Sequence, residues 1–313
     1  MKRRAFFTTA SLAAGSVLTE RLLARPVAHK SGSSFGAPLH DEQLQALRNE
    51  LLSMVNHERE GEGLSTLKLD DFASHIATAH AVDMANGIFL SHWGRDGSKP
   101  YQRYSLAGGT EAIEENDGSV DHTGPFLTSD EFVDDVLYSH RSMFAELPPE
   151  DGHRKTILGP QHTHVGFGMA MNMTYVRLSE IYIARYIAVD AYQPVRRPNT
   201  KFLFSGRVLQ PTYVVQSIDV FYERLPAPPP IEWLRVARSY GLPSERTTLM
   251  PKLPAGIFYE NGSRGSIEGA DSGRFKVHVH LGKLPGIYTI VAWLQRRESQ
   301  KAFPATQVCL RVE

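Results

Sequence analysis

The chain is 313 residues long, with hydrophobic residues at 42% and charged residues at 22%, a balance that supports an ordinary globular core and excludes a disordered or fibrous chain. Lysine plus arginine and aspartate plus glutamate each number 34, so no bulk charge points to a nucleic-acid partner or an anionic membrane. One cysteine, Cys309, excludes an intramolecular disulfide, and 13 histidines hint at metal or proton chemistry, because neutral imidazole is the commonest metal ligand.

The chain opens Met1-Lys2-Arg3-Arg4-Ala5-Phe6-Phe7, followed by a mild apolar run from Ala10 to Leu18 that Glu20 and Arg21 close. This resembles a twin-arginine export signal. The run is too short for a transmembrane helix, which needs about 20 apolar residues. Residues 1–28 are expected to be the signal, with cleavage near Ala24 or Ala28, and the destination is periplasmic or extracellular. Only an uncleaved signal would touch a membrane. Residues 29–40, rich in Ser, Gly, Pro and Ala, read as a linker.

From Asp41, a good N-cap, Leu44, Leu47, Leu51, Leu52 and Val55 fall at helical steps and predict a helix that Gly61 and Gly63 stop. A second helix is expected from Asp70 to Asn86, ended by Gly87, and a third from Ser129 or Asp130 to about Phe144. Val165–Met171 and Ile181–Val189 read as strands. Gln193–Asn199 reads as a domain linker. Beyond it strands are expected at 202–209, 213–222, 266–268, 274–281, 286–294 and 306–312, with a short helix at 232–240. Phe275, Val277 and Val279 alternate with Lys276, His278 and His280, the period of a half-buried strand. The implied fold is α+β: a mixed part over 41–190, then an all-β sandwich over 199–313, with an Ig-like hairpin around Pro285–Thr289.

The chemistry-bearing stretches are Ser91-His92, then Gly97-Ser98-Lys99-Pro100, Glu115-Asn116, Gly152-His153-Arg154 and Val165-Gly166-Phe167-Gly168. In this order they resemble the bacterial branch of the CAP family (cysteine-rich secretory protein, antigen 5, pathogenesis-related). The resemblance implies a three-layer α-β-α sandwich whose cavity holds two histidines and two acidic residues. Carried across, the histidines are His92 and His153 and the first acid is Glu115. Glu111 is a rival, because Glu114 replaces the family's glycine before that glutamate. The second acidic position, on the third helix, falls on His140, with Glu146 and Glu150 as alternatives.

Imidazoles from His92, His153 and His140 plus the Glu115 carboxylate suit a divalent ion such as Zn²⁺ with an open position for water. The bland readings stand beside this one: His92 as a helix cap, His153 bonded to a loop carbonyl, His140 on an exposed helix face, and His80 as half-buried packing. His162 and His164 read as structural.

Three functions compete. The first is an exported binding protein for a lipid or other small molecule, its cavity shaped by a metal. The second is a peptidase-like hydrolase in which His92, Glu115 and His153 activate water. The third is a cell-envelope protein that docks a polymer or protein partner. No nucleic-acid partner is expected. No nucleophile elbow, phosphate loop or His-Glu-x-x-His motif is present.

Overall fold

The structure is a computed structural model that describes residues 39–124 and 127–313. The expected export signal, and the expected linker up to residue 38, lie outside the described residues. Among the described residues no helix is long and apolar enough to cross a membrane.

The first part runs α1 (Asp41–Gly61), β1 (Lys68–Leu69), α2 (Asp71–Gly87), α3 (Pro100–Leu106), β2 (Ala112–Asp121), α4 (Ser129–Phe144), α5 (Gly152–Ile157), β3 (His164–Asn172) and β4 (Tyr175–Ala184). Caps explain where the long helices start. Asp70 Oδ1 accepts the Ala73 N–H at 2.7 Å and fixes the first turn of α2. Thr128 and Glu131 exchange bonds before α4, the Thr128 N–H to Glu131 Oε2 at 2.9 Å and the Glu131 N–H to Thr128 Oγ1 at 3.2 Å, a capping box. At α1 the cap position falls on His40, one residue before the expected Asp41, and Gln43 Oε1 accepts the His40 N–H at 3.0 Å.

The four strands lie in the order β1-β3-β4-β2. β2, a stretch of acidic residues and glycine that sequence reading leaves without an element, pairs antiparallel with β4 along its whole length, from Ala112↔Ala184 to Asp121↔Tyr175. Helices cover both faces. Leu47, Leu51 and Val55 of α1, Phe132 and Val136 of α4 and Ile157 of α5 pack on Val165, Phe167, Leu178 and Tyr182. Ala73, Ile76 and Ala77 of α2 and Tyr101 and Tyr104 of α3 pack on Ile113, Ile181 and Ile183. Each fully buried aliphatic side chain contributes about 1.5–3 kcal/mol. The Val-Gly-x-Gly stretch earns its glycines here: a Cβ on Gly168 would lie 2.0 Å from the Ala77 carbonyl carbon, so only glycine lets α2 sit this close to β3.

The second part holds β5 (Ile187–Val189), β6 (Val195–Arg196), β7 (Lys201–Val208), β8 (Tyr213–Glu223), α6 (Ile231–Leu234), β9 (Arg246–Leu249), β10 (Arg274–His280), β11 (Gly286–Arg296), β12 (Ala302–Pro304) and β13 (Val308–Val312). One sheet has the order β10-β7-β5; the other has β6-β13-β11-β8-β9, with β12 on β11. Phe202, Phe204, Phe275 and Val277 of the first sheet meet Ile218, Tyr288, Ile290 and Leu310 of the second in one core. The stretch 266–268, expected as a strand, makes only isolated bridges, Pro251↔Ile267 and Glu268↔Lys276.

The larger sheet is buried on both faces. Ile287 and Cys309, whose side chains alternate with those facing the β core, join Tyr101 and Tyr104 of α3, and the Cys309 N–H donates to Ser105 Oγ at 2.7 Å. The free edge of β2 is also closed from the second part: the Ile113 N–H donates to Gln307 Oε1 and the Glu115 N–H to Tyr240 Oη, each at 2.9 Å. Glu223, at the end of β8, receives Lys99, Tyr101 and Gln102. Such pairing satisfies edge groups that would otherwise recruit another chain.

Candidate functional site

Strand period decides which side chains meet. Glu115 and Asp117, two apart on β2, point to one face, and Asn116 points to the other. Toward the first face α2 sends His80, and the loop after α2 sends Ser91 and His92. His92 Nδ1 lies 3.1 Å from Glu115 Oε1 and 2.9 Å from Asp117 Oδ2. His80 Nε2 lies 3.5 Å from Asp117 Oδ2 and 3.9 Å from Glu115 Oε1. Arg103, one turn into α3, donates through Nη2 to both Glu115 oxygens, at 3.0 and 2.7 Å. All four clustered acid and imidazole side chains are buried.

The electrostatics follow from this crowding. Burial opposes a charge on His92, but the Asp117 and Glu115 carboxylates outweigh it and push its pKa up to about 9. Burial likewise opposes the Asp117 charge, and the facing His80 and His92 imidazoles hold its carboxyl well below the ordinary range. Asp117 Oδ1, His80 Nδ1 and Arg103 Nε have no hydrogen-bond partner, while Asp117 Oδ2 faces the two imidazoles. Buried polar atoms without partners are expensive.

The other expected site residues lie across the sheet. Glu180, opposite Asn116 in the β2–β4 ladder, receives His140 Nδ1 at 2.7 Å, and Glu58 lies 3.1 Å from His140 Nε2. His140 is therefore fully buried between α1, α4 and β4, neither on an exposed face nor in the cluster of His92. His153 pairs with Glu146, and its carbonyl accepts from Asn116 Nδ2 at 3.1 Å. The four residues expected in one cavity are thus divided: His92 and Glu115 on the α2 face, His140 and His153 on the α4 face. Glu111 binds Arg185 Nε at 2.7 Å and Tyr104 Oη at 3.1 Å, away from the histidines. Glu150 is exposed.

Two members of the cluster escape sequence reading. His80 reads as packing on the second helix, and Asp117 carries no motif. The available signal was the Glu-x-Asp spacing, which places two carboxylates on one face once 112–121 is recognised as a strand.

His80, Glu115 and Asp117 each offer a ligand atom within 4.8 Å of the others. Metal bonds of about 2.1 Å bridge donor separations up to about 4.2 Å, which covers both His80 distances. Imidazole nitrogen with carboxylate oxygen fits a divalent first-row ion without selecting zinc. One contact competes: His80 Nε2 lies 2.9 Å from the Ser91 carbonyl, to which it can only donate, so ligation through that nitrogen requires the ring to leave Ser91. Beside the cluster a surface cleft of about 580 Å³ is lined by His80, Arg103, Asp83, Arg95, Asp96 and Ile76, among others.

Residues 52–183 match the model of the cysteine-rich secretory protein family, CAP. The match spans less than half of the chain. The Bacillus subtilis (strain 168) protein YkwD is 25% identical over 160 residues, 51% of this chain and 53% of that protein, so the chain spans about half the length of this relative. Among solved structures, an extracellular protein containing a SCP domain from Bacillus anthracis is 18% identical, with a TM-score of 0.36 over 48% of this chain and 45% of that one. An outer surface protein of Borrelia burgdorferi is 15% identical, with a TM-score of 0.36 over 48% of this chain and 98% of that one. A cysteine-rich secretory protein from Staphylococcus aureus is 19% identical, with a TM-score of 0.32 over 47% and 41%.

Proposed function

We propose that this is an exported binding protein whose CAP domain holds a divalent metal ion among His80, Glu115 and Asp117, beneath the cleft that takes a small-molecule ligand. The observation that carries the reading is Asp117: a buried carboxylate whose Oδ1 has no partner and whose Oδ2 meets only the His92 and His80 imidazoles, at 2.9 and 3.5 Å, beside the Glu115 carboxylate. A bound cation would neutralise that carboxylate and give the floor of the cleft a Lewis-acidic point for an oxygen donor. His92 and Arg103 keep Glu115 oriented. Export rests on the twin-arginine pattern of Met1 to Leu18, and the second part is read as an Ig-like sandwich on the strength of its strand pattern.

Binding is favoured over hydrolysis by the geometry of the expected catalytic set. His153 lies across the sheet from His92 and Glu115, Arg103 occupies both Glu115 oxygens, and Tyr240 packs on His92 with ring centroids 4.8 Å apart. Metal analysis by mass spectrometry of the purified protein tests the reading. Stoichiometric divalent metal is expected in the wild type and in His153→Ala, and its loss in Asp117→Asn. A wild type that stays metal-free after loading would overturn it.

A further inference from the structure

Where the two parts meet, a second surface cleft of about 280 Å³ opens, and it shares no lining residue with the one beside His80. Its size is at the small end for a ligand pocket. Two half-buried tryptophans line it, Trp93 from the loop after α2 and Trp233 of α6. Their rings meet at 86° with centroids 5.3 Å apart. Gly97 sits so close to the Ala227 backbone that a Cβ would lie 2.2 Å from the carbonyl oxygen, which holds the two lining segments together.

Lys99, Gln102 and Glu223 also line the cleft, and their bonds leave hydrogen-bonding capacity over. The Lys99 ammonium donates to Glu223 and to the Gly241 carbonyl, the latter at 2.9 Å, which uses two of its three protons. The Glu223 carboxylate accepts from Lys99, Tyr101 and Gln102, three of about four acceptor sites. One donor and one acceptor are left side by side, the complement of a hydroxyl. Arg224, exposed and lining the same cleft, adds further N–H donors.

We propose that this cleft binds one pyranose ring of a neutral saccharide. Such a ring has an apolar C–H face to lie on an indole, whose own face is electron-rich, and a rim of hydroxyls that donate and accept at once. Other occupants fit worse. A cation would meet rings that already carry one: Lys99 lies over Trp93, 5.2 Å from the centroid, and Arg238 over Trp233, at 4.4 Å. The Lys99 charge is answered by Glu223, so an anion would find only the exposed Arg224. An apolar chain would strip water from Lys99, Gln102 and Glu223 without replacing its hydrogen bonds. The inference depends on neither the metal nor the cleft beside it.

The test is titration of the full chain with maltotriose, cellotriose, chitotriose and mannotriose, with sorbitol as the open-chain polyol and trigalacturonate as the charged sugar, read by tryptophan fluorescence. Two of the three tryptophans line the cleft, so its occupation shifts the emission. Expected is saturable binding of at least one neutral trisaccharide, weakened about tenfold or more in Trp233→Ala and severalfold in Arg224→Ala. Binding is expected to be unchanged in Lys301→Gln, an exposed lysine outside the cleft. Arg224→Ala alters only an exposed side chain, so it decides the matter if Trp233→Ala fails to fold. Preference for one trisaccharide identifies the sugar. No response to any neutral trisaccharide, an equal response to sorbitol, binding confined to trigalacturonate, or wild-type affinity in a folded cleft variant would each overturn the proposal. His80, Glu115 and Asp117 play no part in this measurement, so its failure leaves the metal reading untouched.

Discussion

Tyr240 sets its ring edge against His92, with centroids 4.8 Å apart, while its hydroxyl accepts the Glu115 N–H at 2.9 Å. A residue from the segment between β8 and β9 thereby covers the cluster and closes the edge strand that carries it. Tyr240→Phe keeps the ring and loses the acceptor, which costs about 1 kcal/mol. Tyr240→Ala also uncovers His92 and costs about 3 kcal/mol. Denaturant unfolding of both variants measures the difference, and equal losses would show that the ring contributes nothing.

The close approach of α2 to β3 predicts intolerance at Gly168. Its Cβ would lie 2.0 Å from backbone atoms of Ala77 and Thr78, which cannot yield as a side chain would. Gly168→Ala is expected to lower stability by about 3 kcal/mol or more, seen as a large drop in Tm or as insoluble protein. A variant that melts with the wild type would contradict the packing described for α2.

His140 predicts a pH dependence. Burial opposes its charge, but Glu180 and Glu58 outweigh it and push the pKa up to about 10. The folded value lies above the unfolded value near ~6.5. Its contribution to stability is therefore complete below pH ~6.5 and is lost as pH rises toward 10. His140→Gln should flatten the alkaline side of the stability profile. It should also cost about 3–5 kcal/mol at neutral pH, because it leaves the Glu180 carboxylate buried without its cation. Urea unfolding from pH 6 to 10 reads both effects, and parallel profiles for the two proteins would contradict the assignment.

The junction predicts that the second part does not stand alone. Expressed by itself, 199–313 would expose Ile287 and Cys309, buried against Tyr101 and Tyr104 in the whole chain, and would lose its β5 and β6 strands. Aggregation or a molten fragment is expected by gel filtration and near-UV circular dichroism. A monodisperse, cooperatively melting fragment would show that the contact with α3 is dispensable.

Much of the helical framework was legible, because Leu47, Leu51 and Val55, or Phe132 and Val136, declare a buried stripe by spacing alone. The strands of the second part were legible where one face is wet, as in the alternation of Phe275 to His280. β2 was not, since its acidic residues and Gly118 mimic a loop. Their burial is supplied by partners distant in sequence: His80 and His92 on one face, the α4 helix on the other. The candidate cluster was legible only in part. The ordered motifs single out His92 and Glu115, but a motif carries no information about which face of a sheet its residues occupy. In the structure His140 and His153 lie on the opposite face of the sheet from His92 and Glu115, and Asp117 and His80, held together only by tertiary structure, carry no motif.

The most direct test of the proposed metal centre is an anomalous difference map from crystals of the zinc-loaded protein, recorded at the zinc absorption edge. A single strong peak between His80, Glu115 and Asp117 is predicted, with the His80 ring withdrawn from the Ser91 carbonyl. A peak beside His153 and Glu146, or none within reach of Asp117, would contradict the account and leave the buried cluster as an ion-pair network that ties β2 to α2.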